Sequence, residues 1–124
     1  MTRRHRLSRS RDFDAVYRKG RSVSTRYLVL YSFPREPEEG TTEARLGLAI
    51  SRKVGGAVTR NRLKRQLREI FAALAPELGA DHDYVLVARA GVAEAAEARG
   101  FDWLAERVRE TFSLAENTER GARA

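Results

Sequence analysis

The sequence predicts a small α/β sandwich in a single domain. Its 124 residues are enough for one domain with a modest core. Segments that alternate like strands and segments with helical periodicity follow one another in the order α-β-β-α-β-α, so we expect the helices to pack against one sheet. The stretch 21–24 can add a further short strand. The domain is expected over residues 10–116, after a basic flexible arm at 1–9 and before a flexible tail at 117–124.

The first helix is predicted from Ser10 to Lys19, because Ser10 can cap its N-terminus. Phe13, Val16 and Tyr17 fall on one face of this helix. That face can belong to the core, and we expect this of Val16. Aromatic rings beside basic residues also stack on unpaired bases, so Phe13 and Tyr17 are candidates for either role.

Two strands are predicted to follow. Residues 23–33 alternate and are rich in β-branched and aromatic side chains, which predicts a strand with one face formed by Tyr27, Val29, Tyr31 and Phe33. Both of its faces are apolar, so a central position in the sheet is expected. The acidic stretch 34–42 predicts a hairpin loop, and 44–51 predicts the return strand.

The second helix is predicted between Thr59, which can cap its start, and Pro76, which limits its end. Apolar residues recur within it at the spacing of one helical face. The predicted buried stripe consists of Leu63, Leu67, Ile70, Phe71 and Leu74. One side of this helix should therefore cover the sheet while the other side faces solvent.

The solvent side of the second helix is predicted to be densely positive. Five cations and one amide occupy the arc opposite the stripe: Arg60, Asn61, Arg62, Lys64, Arg65 and Arg68. Such cations repel each other, and Glu69 is the one acidic residue among them. An ordinary solvated face is one interpretation. We favour nucleic-acid binding, because phosphates at matching spacing would compensate cations clustered on one arc.

The distribution of charge supports this interpretation. The net charge is +7, and it is concentrated in two segments. Residues 1–26 carry nine basic and two acidic side chains, and residues 45–69 carry eight basic and one acidic. The remaining segments are acidic in balance. If the two basic segments meet in space, they form one strongly positive surface.

The connection into the basic helix adds two cations and two glycines. Arg52 and Lys53 extend the same basic surface. A glycine pair directly before a helix N-terminus, here Gly55 and Gly56, can let the backbone approach a phosphate closely. A flexible turn between strand and helix is the other interpretation, and the two are compatible.

The C-terminal part is predicted to supply a strand and a helix. Residues 84–88 predict a short buried strand, parallel to one neighbour, with Arg89 at its end. The stretch 91–100 predicts a loop or weak helix, and 101–115 predicts a clear amphipathic helix. Asp81-His82-Asp83 is interpreted as a polar turn rather than a metal site, because neighbouring side chains of an extended segment point to opposite faces.

The composition excludes several classes of function. The chain has no cysteine, which rules out disulfides and thiolate metal sites. No apolar stretch approaches a membrane span and no apolar run follows the basic N-terminus, so a reducing, cytoplasmic compartment is expected. No grouping of nucleophile, base and carboxylates suits catalysis, so we expect neither a protein-only nuclease nor a metal site on this chain.

The basic helix also carries a family resemblance. The run from Arg60 to Arg65, followed by Arg68-Glu69, resembles the signature helix of the bacterial ribonuclease P protein component. Residues 51–59 resemble the lead-in to that helix. Phe13-x-x-Val16-Tyr17-x-x-Gly20 resembles the family's first helix, although Tyr17 stands where Phe is usual. That family is the small basic partner of a catalytic RNA that removes 5′ leaders from precursor tRNA.

The resemblance implies a role and a fold. The chain would be the protein subunit of a ribonucleoprotein, monomeric beside the catalytic RNA. The RNA and its Mg²⁺ ions would perform the hydrolysis, with no cofactor bound by the protein. The implied fold has a left-handed crossover through the signature helix, whereas the general rule alone predicts a right-handed one.

The resemblance also implies two sets of RNA contacts. The catalytic RNA would meet the basic helix at Arg60, Asn61, Arg62, Lys64, Arg65 and Arg68. A cleft between the first helix and the sheet would receive the single-stranded leader of precursor tRNA at Phe13, Tyr17, Tyr27, Tyr31, Arg52, Lys53 and Arg89. Tyr27 and Tyr31 can equally be core residues.

Two alternative functions share the basic surface. A general RNA-binding or ribosome-associated protein would have no part in cleavage and no preference for a leader. A DNA-binding domain would need exposed readers of base edges, and the nearly all-cationic row favours phosphates instead.

Overall fold

The computed structural model describes residues 21–34, 44–78 and 82–123, with side chains as far as residue 116. Within these ranges the chain forms four strands and three helices. They are β1 (Arg21–Ser24), β2 (Leu28–Pro34), β3 (Arg45–Ile50), α1 (Ala57–Leu78), β4 (His82–Ala88), α2 (Val92–Arg99) and α3 (Phe101–Arg123). The predicted α/β class and the short strand at 21–24 are confirmed. The predicted first helix and the basic arm lie outside the described residues.

The strands form one mixed sheet in the order β1-β2-β4-β3. β2 pairs antiparallel with both β1 and β4, and β3 pairs parallel with β4. The predicted central strand and the parallel pair are confirmed. The predicted hairpin pairing of β2 with β3 is wrong, because β4 lies between them. β4 is buried along almost its whole length, and a central position supplies neighbours for both of its edges and both of its faces. The left-handed crossover stays a prediction.

The prediction of one continuous strand over 23–33 is wrong, because a tight turn separates β1 from β2. Thr25 holds this turn closed. Its backbone N–H donates to the carbonyl oxygen of Leu28 at 2.8 Å, and the Leu28 N–H donates back to Thr25 Oγ1 at 3.1 Å. A threonine hydroxyl that bonds local backbone in this way favours a turn over a continuing strand.

The core lies between one face of the sheet and the three helices. β2 contributes the fully buried Leu28 and Leu30 to it. Phe71 of α1, Tyr84 of β4 and Phe112 of α3 join these layers, with ring centroids 5.0–6.4 Å apart. The predicted stripe on α1 is confirmed, since all five of its residues are buried. Full burial of side chains of this size contributes about 1.5–3 kcal/mol each.

α1 is longer than predicted at both ends. It begins at Ala57, and the Arg60 N–H donates to the Gly56 carbonyl oxygen at 2.9 Å, so Gly56 takes the N-cap position predicted for Thr59. At the other end the helix continues through Pro76 to Leu78. Proline is tolerated there because so few helical bonds remain to be broken in the last turn.

Two glycines with positive φ delimit α2, at φ 94° for Gly91 and 95° for Gly100. Glycine adopts such conformations without strain, which explains the sharp helix boundaries. α2 confirms the weak helix predicted at 91–100. α3 continues to Arg123, so its predicted end at residue 115 is wrong, and the flexibility of 117–124 stays a prediction. None of the helices among the described residues is long and apolar enough to cross a membrane.

Candidate nucleic-acid interface

The cationic arc of α1 lies at the molecular surface. Asn61, Arg62 and Arg65 are exposed, and Arg60, Lys64 and Arg68 are half-buried. Four of the five cations have no ion pair within the part of the chain that the structure describes: Arg60, Arg62, Lys64 and Arg65. The apolar stripe anchors the helix on the sheet, and the anchored helix presents a row of uncompensated positive charge.

The position of this charge along α1 is electrostatically unfavourable. The first turn contains no acidic residue, and Arg60 and Arg62 lie near the N-terminus, where the helix dipole is already positive. Arg60 Nε is buried and has no hydrogen-bond acceptor among the described residues. A buried donor without a partner costs about 1–3 kcal/mol. A bound anion would relieve the repulsion.

The connection from β3 to α1 continues the basic surface. Arg52 and Lys53 are exposed, whereas Val54 is buried and anchors the turn. The two glycines differ. A Cβ on Gly55 would lie 2.8 Å from Thr59 Cγ2, whereas a Cβ on Gly56 would meet nothing within 4 Å. The fold therefore requires a glycine at position 55, where the backbone lies close to the Thr59 side chain. The backbone at Gly56 has open space beside it and is accessible to a ligand.

Arg89 lies at the same end of the sheet as this connection. Because β3 and β4 are parallel and Ile50 pairs with Ala88, the residues that follow the two strands emerge side by side. The Arg89 backbone N–H donates to the Tyr27 carbonyl oxygen at 2.9 Å, and its Nη1 donates to the Thr25 carbonyl oxygen at 2.8 Å. The structure thus places Arg89 between the β1–β2 turn and the basic connection.

The sheet face opposite the three helices forms a second apolar surface. Val85 of β4 is fully buried there, and Tyr31, Phe33 and Val87 pack against it half-buried. We call this surface, which none of the described helices covers, the open sheet face. Tyr31 lies on it, and the predicted cleft between the first helix and the sheet stays a prediction. Phe13 and Tyr17, the other aromatic residues predicted for the cleft, lie outside the described residues.

Tyr27 does not share this face, so its predicted grouping with Tyr31 is wrong. β2 begins only at Leu28, and the alternation of the strand therefore does not extend to Tyr27. Its ring packs edge-on against Trp103 of α3, with centroids 5.1 Å apart. Tyr27 thus belongs to the helix side of the molecule.

The acidic segment before Tyr84 is a strand rather than the predicted turn, since β4 begins at His82. His82 and Tyr84 stack at 6.0 Å between ring centroids on the helix side. Asp83 points the other way and accepts two hydrogen bonds from Arg45, at 2.9 Å and 2.7 Å. The argument that neighbouring side chains diverge is confirmed. Among the described residues, no group of three or more His, Asp or Glu side chains is placed to hold a metal ion.

Sequence reasoning missed two parts of this surface. Val87 lines the open sheet face and was not assigned to it, whereas Phe33 lies there with Tyr31 as the strand alternation predicted. Trp103 contacts Tyr27 across 76 positions of sequence, and no local signal indicates that contact.

The fold and the charge pattern define a small basic α/β sandwich protein with a polycationic helix on its surface. Comparison with known proteins identifies its family. The Ribonuclease P family profile matches residues 1–115, and the chain belongs to this family. It is 45% identical over 89 residues to the Ribonuclease P protein component of Shouchella clausii, covering 72% of this chain and 70% of that relative. It is 40% identical over 94 residues to that of Halalkalibacterium halodurans, with 76% of each covered.

Solved structures agree with this assignment. The RNase P protein of Staphylococcus aureus superposes with a TM-score of 0.75 at 27% identity, covering 90% of this chain and 94% of that one. The protein from Thermotoga maritima superposes with a TM-score of 0.73 at 31% identity, covering 85% and 92%. The predicted family is confirmed, and the role of the chain is that of a subunit in tRNA processing, as part of ribonuclease P.

Proposed function

We propose that the arc of α1 binds phosphates of the catalytic RNA of ribonuclease P and helps hold that RNA folded. The observation that carries the proposal is the row of cations without ion pairs at the positive end of the α1 dipole. Phosphates are the anions whose spacing can match such a row, and each neutralised phosphate releases counterions. Asn61, within the row, can both donate to and accept from a 2′-hydroxyl or a base edge.

The open sheet face receives the single-stranded 5′ leader of precursor tRNA in this proposal. Tyr31 and Phe33 offer half-buried rings on which unpaired bases can stack. Arg52, Lys53 and Arg89 gather at the end of the same sheet and can meet the leader's phosphates. Leader contacts exist only in the precursor, so they favour the substrate over mature tRNA. Tyr27 lies at the end of the sheet, on the helix side, and not on this face.

The chemistry of cleavage is assigned to the RNA subunit. The described residues do not suit Mg²⁺, because Asp83, the buried carboxylate of β4, is neutralised by the bidentate Arg45. No step of the proposal therefore passes through a metal ion on this chain. The metal ions are expected on the RNA, and the protein is expected to act as a monomer in a cytoplasmic ribonucleoprotein.

The proposal is tested by reconstitution at low Mg²⁺ with precursor tRNA as substrate. Three reactions contain this protein alone, a bacterial ribonuclease P RNA alone, or both. Rapid cleavage at the mature 5′ end only in the combined reaction is the expected result. Cleavage by the protein alone would contradict the assignment of chemistry to RNA. Tight RNA binding without stimulation would indicate a general RNA-binding protein instead.

The leader contact is tested by a matched pair of variants. Tyr31→Ala should weaken holoenzyme binding of precursor tRNA by about 1–3 kcal/mol while leaving mature tRNA unchanged, because a stacking ring is lost. Tyr31→Phe keeps the ring and should retain affinity for the precursor. Equal losses for both substrates would remove Tyr31 from the leader site and leave it as a core residue.

A further inference from the structure

An aromatic–arginine cluster lies between the β1–β2 turn and α3. Its centre is Trp103, the only tryptophan of the chain, which is half-buried against Tyr27. Arg99, the last residue of α2, and Arg107, one turn after Trp103 on α3, each place a guanidinium carbon 5.8 Å from its ring centroid. Arg26 lies 5.3 Å from the Tyr27 ring centroid. Two aromatic rings and three guanidinium groups therefore meet at one place on the surface.

The three arginines of this cluster differ in how their charge is compensated. Arg107 Nε lies 3.3 Å from a Glu110 carboxylate oxygen, so this residue is held by an ion pair on its own helix. Arg26 and Arg99 are exposed, and neither has a carboxylate partner within the described ranges. The two unpaired guanidinium groups remain available to an anion beside a stacking surface.

The cluster surrounds a pocket of about 290 Å³, lined by Arg26, Tyr27, Arg99, Trp103, Arg107 and Glu110. This volume is close to the lower limit of small-molecule sites, about 300 Å³. Thr25 also lines the pocket, and its carbonyl oxygen accepts the hydrogen bond from the Arg89 side chain. Arg89 thus contacts the backbone of a residue that lines the pocket.

We propose that the aromatic–arginine cluster binds an unpaired nucleotide of RNA. The base stacks on the surface formed by Trp103 and the Arg99 guanidinium plane, and Arg26 and Arg99 neutralise the phosphate. The site is distinct from the open sheet face, because Trp103 lies on the helix side of the sheet. The inference rests on the proposed function only in that the ligand is RNA. The nucleotide can come from the catalytic RNA or from the leader.

Trp103 reports on its own site, because its fluorescence is the only tryptophan signal of the full-length chain. Fluorescence is recorded with inner-filter correction for protein with the catalytic RNA, holoenzyme with mature tRNA, and holoenzyme with precursor tRNA. Quenching in all three samples assigns the nucleotide to the catalytic RNA. Quenching that appears only with precursor assigns it to the leader. Both results support the site.

Two variants, one at the end of α2 and one on α3, separate a specific contact from a general charge effect. Arg99→Gln should weaken binding of whichever RNA quenches Trp103 and lower the salt-dependence slope by about 0.7, the value for one phosphate of a single strand. Arg109→Gln removes the same charge from α3 outside the pocket and should change neither. Trp103→Leu should weaken binding about fivefold or more, while Trp103→Phe retains affinity through its ring.

Two outcomes would overturn the inference. One is an unchanged Trp103 signal in all three samples while binding is confirmed by filter retention. The other is an equal response of the Arg99→Gln and Arg109→Gln proteins. If the reconstituted enzyme still cleaves precursor tRNA under these conditions, the inference fails and the proposed function stands. If no RNA binds at all, both fail.

Discussion

α1 and α3 are built alike but differ in how their outer charges are compensated. Each helix buries an apolar stripe against the same sheet and carries several arginines on its outer side. On α3, Arg107 is paired with Glu110 at 3.3 Å. On α1, four cations have no ion pair within the described residues, and no acidic residue occupies the first turn. Amphipathicity alone therefore does not distinguish a packing helix from a binding helix, whereas the balance of charge does. α3 carries four acidic and two basic side chains between residues 101 and 116, and α1 carries five basic and two acidic.

The largest expected effect is a difference in stability loss between substitutions on the buried and the exposed faces of α1. Phe71→Ala should lower the free energy of unfolding by about 3–5 kcal/mol, because the ring is fully buried against Tyr84 and Phe112. Arg65→Ala, on the exposed arc, should change it by no more than about 0.5 kcal/mol. Urea denaturation of both proteins measures the difference. A large loss for Arg65→Ala would mean that the basic arc also carries stability.

A methyl group added at the residue before each helix should change the stability of the protein by different amounts for α1 and α3. Gly100→Ala, before α3, should cost about 1–3 kcal/mol of stability because its φ of 95° strains any side chain. Gly56→Ala, before α1, places its Cβ in open space without a positive φ and should cost at most about 1 kcal/mol, because alanine is a poorer N-cap residue than glycine. Gly56→Ala should nevertheless weaken binding of the catalytic RNA if a phosphate approaches that backbone. Thermal unfolding and filter binding of the same preparations separate the two effects. Unchanged RNA affinity for Gly56→Ala would restrict the interface to side chains.

The sequence pattern predicted the features that depend on neighbouring residues. Features that depend on contacts between distant parts of the chain could not be predicted from it. The stripe of α1 followed from its period, and Phe71 was assigned to the core correctly. The place of β4 between β2 and β3 could not be predicted, because it depends on pairing across long separations. The Arg45–Asp83 ion pair could not be predicted for the same reason, because its residues lie 38 positions apart in the sequence. Tyr27 was misplaced because the Thr25 hydroxyl closes a turn within a segment of continuous strand propensity.

The salt dependence of RNA binding tests directly whether the cationic arc of α1 contacts phosphates. Arg65→Ala should weaken binding of the catalytic RNA by about 1 kcal/mol, as expected for the loss of a charge-assisted contact. It should also reduce the slope of log affinity against log salt by about 0.9 if it meets a duplex phosphate. Arg109→Ala on α3 is the matched control and should leave the slope unchanged. Titrations at several salt concentrations measure both. Equal slopes for both variants would remove Arg65 from the phosphate contacts.

The smallest expected effect is a change in the free energy of unfolding that has opposite signs for equivalent substitutions on α1 and α3. Arg60→Met keeps an apolar stem and removes both a buried donor without an acceptor and a cation near the positive end of α1. It should therefore raise the free energy of unfolding by about 0.5 kcal/mol. Arg107→Met makes the same chemical change on α3, where Nε is likewise buried without a hydrogen bond but lies in an ion pair with Glu110, so losing that pair should lower that free energy by about 0.5 kcal/mol. Denaturant titrations at low ionic strength measure both changes, and high salt should shrink them because exposed charges are screened. If both variants lose stability, Arg60 is compensated within the protein, and the contrast between a binding helix and a packing helix would have to rest on RNA affinity alone.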